Sequence, residues 1–257
     1  MLDAVVWGLV QGLTEFLPIS SSGHLVLLPA FLSRAGIDVG DPDLATTAVL
    51  HLGTLLAVLA YYRTDILGIL KAPNDPRSRR LVFLIALGSV PALIGLPLRG
   101  VLGQIEENPT LVGVALIATG LILAVGSRWT DGDRRLESGT ARDAIAVGLA
   151  QALALVPGIS RSGSTITAGL MAGFDREEAA RFSFLLAIPA IAGGGLISLL
   201  DVTATSVAMG PVLVGLLVAA VAGYAAIAVL IRLLVSRGFG PFVSYCLVVG
   251  AAAVIIL

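Results

Sequence analysis

Apolar residues fall in blocks along this chain, and the length of each block sorts them into two kinds of element. The blocks 43–62, 81–103, 110–127, 181–200, 209–231 and 239–257 reach the roughly 20 mainly apolar residues a helix needs to cross a bilayer. The blocks 2–17, 22–33, 143–157 and 162–173 stop short, and they come in two pairs, each folded about a break containing Ser and Gly. Polar backbone at membrane depth is costly unless it lines a cavity. The pairs therefore read as re-entrant helical hairpins. The order is hairpin, three spans, hairpin, three spans, and because three is odd the second set enters the membrane upside down. The predicted fold is an all-α polytopic membrane protein: an inverted repeat of six transmembrane helices and two re-entrant helical hairpins in one integral membrane domain. Repeat 1 occupies 1–127, with its hairpin at 2–33, and repeat 2 occupies 143–257, with its hairpin at 143–173.

The two breaks share a sequence. Gly8-Leu9-Val10-Gln11 through Ile19-Ser20-Ser21-Ser22-Gly23 recurs 140 positions later, without a gap, as Gly148-Leu149-Ala150-Gln151 through Ile159-Ser160-Arg161-Ser162-Gly163. Broken apolar segments at matching positions of two halves point to a polar site at the repeat interface, near the bilayer midplane. Pro91 and Pro97 in the second span and Gly193-Gly194-Gly195 in the fourth read as structural, marking kinks or close helix packing.

Composition sharpens this picture. The chain is 57% hydrophobic and 13% charged, with a mean hydropathy of +0.98. Its net charge of −1 gives no reason to expect nucleic acid. Met1-Leu2-Asp3 lacks the basic start of a signal peptide, so the spans themselves are expected to direct insertion. Cys246, the only cysteine, lies in an apolar run and reads as a core residue. The loop 63–80 carries Arg63, Lys71, Arg77, Arg79 and Arg80, and the loop 128–142 carries Arg128, Arg134, Arg135 and Arg142, whereas 104–109 and 201–208 have no Lys or Arg. The positive-inside rule places the basic loops in the cytoplasm and both termini outside.

The chemistry gathers at the breaks. In the first, Gln11 and Glu15 are four apart and share a helix face. A carboxylate inside a membrane segment is a functional candidate by default. Pro18 ends that helix, and Ser20, Ser21 and Ser22 offer hydroxyls and free amides at the start of the next, a setting that suits an anion; His24 stands at the same helix start. In the second break, Arg161 has the planar fork for phosphate or carboxylate, with Ser160, Ser162, Gly163, Ser164 and Thr165 available as an oxygen-binding nest. A structural Arg161–Glu15 ion pair would leave the serines unexplained, whereas a phosphate site explains both. The inventory is that of phosphoryl transfer, and a substrate reaching this depth is expected to carry a lipid tail. His51, in the first full span, reads equally as an interior histidine or an accessory group. The cluster Asp175, Glu177 and Glu178 reads as a solvated helix start.

These residues resemble the undecaprenyl-diphosphatase, or bacitracin-resistance, family along the whole chain. The likeness is greatest at Gln11–His24 and Pro157–Thr165, with a further block at Ser183–Pro189. The resemblance implies hydrolysis of undecaprenyl diphosphate to undecaprenyl phosphate and inorganic phosphate, recycling the lipid carrier for cell-wall synthesis. It also implies bacitracin resistance, a divalent cation (Mg²⁺ or Ca²⁺), and an active site opening to the outer face of a bacterial cytoplasmic membrane. Glu15, Ser21, His24, Ser160, Arg161 and Thr165 stand at the family's functional positions. Gln11 stands where many members have Glu, and an amide is a poorer metal ligand than a carboxylate. On this footing Arg161 and the hydroxyls and amides of both breaks hold the diphosphate. Glu15 and Gln11 hold the metal, Ser21 is the preferred nucleophile and His24 the acid/base; His24 and water remain rival nucleophiles.

Two other readings compete. A lipid flippase or transporter would use the same inverted repeat but would release no phosphate. The phosphatidate-type phosphatases need further histidines, and this chain has only His24 and His51. Oligomeric state, a homodimer included, is left open.

Overall fold

The computed structural model describes residues 1–37, 44–129, 132–201 and 209–257, and every regular element among them is helical. The first short pair is α1 (Leu2–Phe16) and α2 (Ser21–Arg34), followed by α3 (Leu44–Tyr61). The basic loop read at 63–80 is not all loop. It holds α4 (Arg63–Lys71), turned by 71° from the helix before it. The predicted span 81–103 becomes α5 (Pro76–Ser89), a 3₁₀ stretch (Val90–Ile94) and α6 (Gly95–Glu106). Pro91 lacks an N–H and removes one backbone bond, so the α-ladder gives way there. Then come α7 (Pro109–Gly126), a 3₁₀ turn (Leu136–Ser138), the second short pair α8 (Ala141–Leu153) and α9 (Arg161–Met171), and α10 (Arg176–Asp201), α11 (Met209–Arg237) and α12 (Gly240–Ile256). Most of the connections 34–43 and 201–208 lie outside the described residues.

Polar caps set the boundaries of these apolar helices. Asp75 accepts from the Arg77 and Ser78 amides just before Pro76, and Asn108 accepts from the Leu111 amide just before Pro109. Pro suits the first helical position because the N–H it lacks would have had no partner. Thr140 and Asp143 form a capping box at the start of α8. By length and composition, the helices at Pro76–Glu106, Pro109–Gly126 and Gly210–Arg237 can each cross a membrane, and the bent pair α3–α4 can supply a further span. The chain is a multi-pass membrane protein.

Close backbone approach holds the bundle together, as expected where lipid is as apolar as the side chains. A Cβ on Gly12 of α1 would lie 2.7 Å from the Ala219 carbonyl of α11, and one on Gly53 of α3 would lie 2.5 Å from the Leu216 carbonyl. Gly8 meets the Gly215 carbonyl on α11 much as Gly148 of α8 meets the Gly88 carbonyl on α5. Between α7 and α12 the contact is reciprocal: Gly113 faces the Gly250 carbonyl and Gly250 faces the Gly113 carbonyl. Gly193 and Gly194 depart from the close-packing reading, since a Cβ added to either would have no neighbouring atom within 4 Å.

At one end of the bundle the loop charges pair among themselves. Arg181 binds Asp65 and reaches Glu178 (3.2 Å) and Glu137 (3.6 Å). Arg134 bonds Asp143 (2.7 Å) and lies over the Phe174 ring, 5.0 Å from its centroid. The acidic cluster read as a solvated helix start takes part in this network: Glu178 is buried and accepts the Leu136 amide at 3.0 Å.

Candidate active site

Both breaks end one helix and start another in the same way. At the first, α1 stops at Phe16, Leu17 is extended (φ −64°, ψ 144°), and Ser20 caps α2 by accepting the Gly23 amide at 3.2 Å. At the second, Ser160 caps α9 by accepting the Gly163 amide at 3.1 Å. Each capping serine also meets the hydroxyl two residues on: Ser20 to Ser22 at 3.3 Å and Ser160 to Ser162 at 3.2 Å. The turns differ in where the backbone enters the left-handed region. Ser20 itself has φ 69° at the first, whereas Gly158 takes φ 96° at the second. Gly158 is needed there twice over, because a Cβ would also lie 2.5 Å from the Val112 carbonyl.

The two tips touch. Glu15 Oε1 accepts from Arg161 Nη2 at 2.6 Å, and Glu15 Oε2 accepts from Ser21 Oγ at 2.6 Å and from Gln11 Nε2 at 3.0 Å. Ser162 Oγ donates to the Leu17 carbonyl at 3.2 Å, a second bridge between tips. The ion pair is well shielded, with 15% of the Arg161 side chain and 8% of the Glu15 side chain exposed. Removing either partner of such a pair would strand the other charge at a cost of about 3–5 kcal/mol. Arg161 Nη1 is buried without any protein partner. The amides at the first two positions of α2 and α9, Ser21-Ser22 and Arg161-Ser162, have no acceptor within their own helices. A cavity of about 290 Å³ opens on this junction, lined by Glu15, Ser20, Ser21, Ser22, Ser160, Arg161 and His51. Its unpaired donors are cationic or amide, so it suits a multiply charged oxyanion.

Such a junction of one carboxylate, one serine and one guanidinium is not unique to a single chemistry, and comparison with known proteins supplies the family. A family model described as "Bacitracin resistance protein BacA" matches residues 4–252. The chain belongs to this bacitracin resistance protein family. Among curated relatives, an undecaprenyl-diphosphatase of Nocardioides sp. is 44% identical over 100% of this chain and 96% of its own length. Proteins of the same name from Trichormus variabilis (42% identical, covering 98% of this chain and 82% of the relative) and Geotalea daltonii (38%, covering 100% and 98%) are similarly close.

Within this bacitracin resistance protein fold, the residues singled out from sequence do not all face the cavity. Glu15, Ser20, Ser21, Ser22, Ser160 and Arg161 line it. Gln11 is fully buried behind Glu15, with its Oε1 unpartnered. Ser162 and Gly163 serve the tip itself, through the bridge to Leu17 and the amide cap. Thr165 turns away: its hydroxyl bonds the Arg161 carbonyl (2.7 Å) and the Ser183 hydroxyl on α10 (2.6 Å). His24 is held at both ring nitrogens, by the Ser20 carbonyl (2.7 Å) and the Tyr245 hydroxyl (2.7 Å), and stacks on Tyr245.

His51 is the imidazole that lines the cavity. Its Nδ1 is anchored on the Thr47 carbonyl at 2.8 Å, which leaves Nε2 as the nitrogen its own helix does not hold. Thr119 on α7 escaped sequence reasoning altogether. Its Oγ1 donates to the Gly158 carbonyl (2.9 Å) and accepts the Ser160 amide (2.9 Å), clasping the second tip. A threonine in an apolar helix carries no signal of that role.

For a divalent cation, the chain offers the carboxylate of Glu15 on the cavity wall and, behind it, the amide of Gln11, which would present its oxygen toward Glu15 only if turned over, since Nε2 is the atom that faces it; such hard oxygen donors suit Mg²⁺ or Ca²⁺. Among the described residues no group of three or more His, Cys, Asp or Glu side chains is placed to hold a metal ion. Diphosphate oxygens would therefore complete any such shell, as is usual for Mg²⁺.

Proposed function

We propose that this chain is an undecaprenyl-diphosphate phosphatase, hydrolysing the lipid diphosphate to the lipid monophosphate and inorganic phosphate. The observation that carries the reading is the row Arg161–Glu15–Ser21: a hydroxyl 2.6 Å from a carboxylate oxygen, beside a guanidinium with one nitrogen unpartnered. Arg161 Nη1 and the first-turn amides grip the terminal phosphate and stabilise charge as it builds. Ser21 Oγ attacks that phosphorus while Glu15 takes its proton. The bridging oxygen leaves with the bond pair as lipid monophosphate. Water then attacks the phosphoserine, releasing phosphate, and the serine regains its proton. The base role falls to Glu15 because His24 is engaged at both nitrogens. Glu15 and Gln11 would hold a divalent cation, which offsets phosphoryl charge when bound.

An inverted repeat is the architecture we favour. It is supported by the matched serine caps at both tips, by the Gly8–Gly215 and Gly148–Gly88 approaches, and by the reciprocal Gly113–Gly250 contact. The Arg-rich loops favour a cytoplasmic side that includes residues 63–80 and 128–142, with the site opening toward the outer leaflet of a bacterial inner membrane.

The test is release of inorganic phosphate from a polyprenyl diphosphate by purified protein in detergent, with no gradient present. Wild type is expected to turn over, which a pure flippase would not do. Arg161→Lys keeps the charge but loses the planar fork, so kcat/KM should fall by about 100-fold or more with elution on gel filtration unchanged. Wild-type activity in that variant would remove the proposed anion clamp.

A further inference from the structure

A second cavity, of about 550 Å³, adjoins the one described above and shares Leu155, Ala190 and Gly194 with it. One wall is the 3₁₀ stretch and the start of α6, where Leu93 and Leu96 lie largely exposed; the other is α10, at Pro189, Gly193 and Gly194. Glycine inside a helix is destabilising relative to alanine, and close packing usually offsets that. Here it does not: Gly193 and Gly194 have nothing within 4 Å of where a Cβ would stand. The missing side chains instead leave room in the groove. Pro189, one turn earlier, removes an α-helical hydrogen bond at the same wall.

Among the described residues, three polar side chains line this otherwise apolar groove: Ser89, whose hydroxyl donates to the Ile85 carbonyl at 2.7 Å, Arg99 and Gln151. Gln151 is 2% exposed and has neither amide atom hydrogen-bonded. A buried amide without a partner is destabilising because its desolvation is not offset, so the site favours an occupant with a polar end. Gln151 stands four residues before Leu155, one of the three residues common to both cavities, so the amide sits beside the junction.

We infer that this groove receives the lipid tail beyond its first isoprene unit, and that Gln151 bonds the phosphate that stays on the lipid while the terminal phosphate sits at Arg161. This rests on the phosphatase reading and gives its substrate a direction: head between the hairpin tips, tail out along the glycine wall of α10 toward the exposed Leu93 and Leu96. Flexible prenyl chains fill such a groove without any hydrogen bonds to lose, and each buried methylene tightens binding about fourfold.

The experiment compares a long polyprenyl diphosphate with a C5 prenyl diphosphate, using wild type, Gly193→Leu and Ala92→Leu, which narrow the groove from opposite walls. Phosphate release in detergent is followed for each pair, after gel filtration confirms a monodisperse protein. The expected result is a rise in KM for the long substrate of about tenfold or more, the loss of about two buried methylenes. The kcat for the long substrate and all constants for the C5 substrate should stay within about twofold. Unchanged KM for the long substrate in both variants, or equal losses on long and short substrates in both, overturns the groove assignment. Failure of wild type to release phosphate from either substrate sinks the phosphatase reading instead.

Discussion

Glu15 answers to three donors at once, Arg161, Ser21 and Gln11, and this crowding makes its substitution informative. Glu15→Gln keeps the shape but cannot take the serine proton. We expect kcat to fall by about 10²–10⁴-fold, the usual worth of a positioned base, while KM holds because Arg161 is still present to bind the diphosphate. A loss expressed in KM alone would show that Glu15 only positions Arg161. Gln11 gives a second handle. Its amide nitrogen points at Glu15 from 3.0 Å, so Gln11→Glu would set two carboxylates side by side. Two like charges at that distance repel unless a cation sits between them. The variant is therefore expected to need less Mg²⁺ or Ca²⁺ for half-maximal phosphate release, and to lose more activity than wild type in a chelator. An unshifted cation titration would place the metal elsewhere.

At the scale of the element, the second tip depends on a residue from outside the hairpin. Thr119 satisfies a buried carbonyl and a buried amide at the turn that presents Arg161. Thr119→Val has nearly the same volume but strands both groups, at about 1–3 kcal/mol each. Thermal unfolding in detergent should come several degrees earlier, and activity should fall as Arg161 loses its register; Thr119→Ser should behave as wild type. What the sequence revealed and concealed follows the same division. The short helix pairs are legible because length and the Pro/Ser/Gly breaks are local signals: Leu2–Phe16, Ser21–Arg34 and Arg161–Met171 fall within a residue or two of the expected blocks, whereas Ala141–Leu153 ends four residues before the block 143–157 does. The helix Arg63–Lys71 was hidden because its charges read as loop and no side chain caps its start; the acidic Asp65 in its first turn and Lys71 in its last are the local signals it carries. Contacts across the chain left no local trace: Tyr245 on His24, Thr119 at the tip, and His51 rather than His24 on the cavity wall. Two histidines flanked by apolar sequence look alike until the fold decides which one a tyrosine occupies.

For the whole molecule, the open question is which side of the membrane each end of the bundle faces, because that decides which leaflet supplies the substrate. The loop charges give an answer that depends on no contact within the fold: five basic residues lie in 63–80 and none in 104–109. Those charges resist translocation, so the tip of the loop before α5 should stay in the cytoplasm and the turn after α6 should be exported. The single cysteine makes the test clean. Replacing the buried Cys246 by Ala gives a background without reactive thiols, into which Asn74→Cys or Glu107→Cys can be placed, both at exposed positions. A membrane-impermeant maleimide added to intact cells should label Glu107→Cys at once and Asn74→Cys only after permeabilisation. With that pattern, the first hairpin enters from outside and the second from the cytoplasm, and lipid diphosphate reaches the Arg161–Glu15 junction from the outer leaflet. The opposite pattern would turn the molecule over and send the substrate in from the cytoplasmic leaflet, leaving the chemistry at Ser21 untouched but reversing where its products are released.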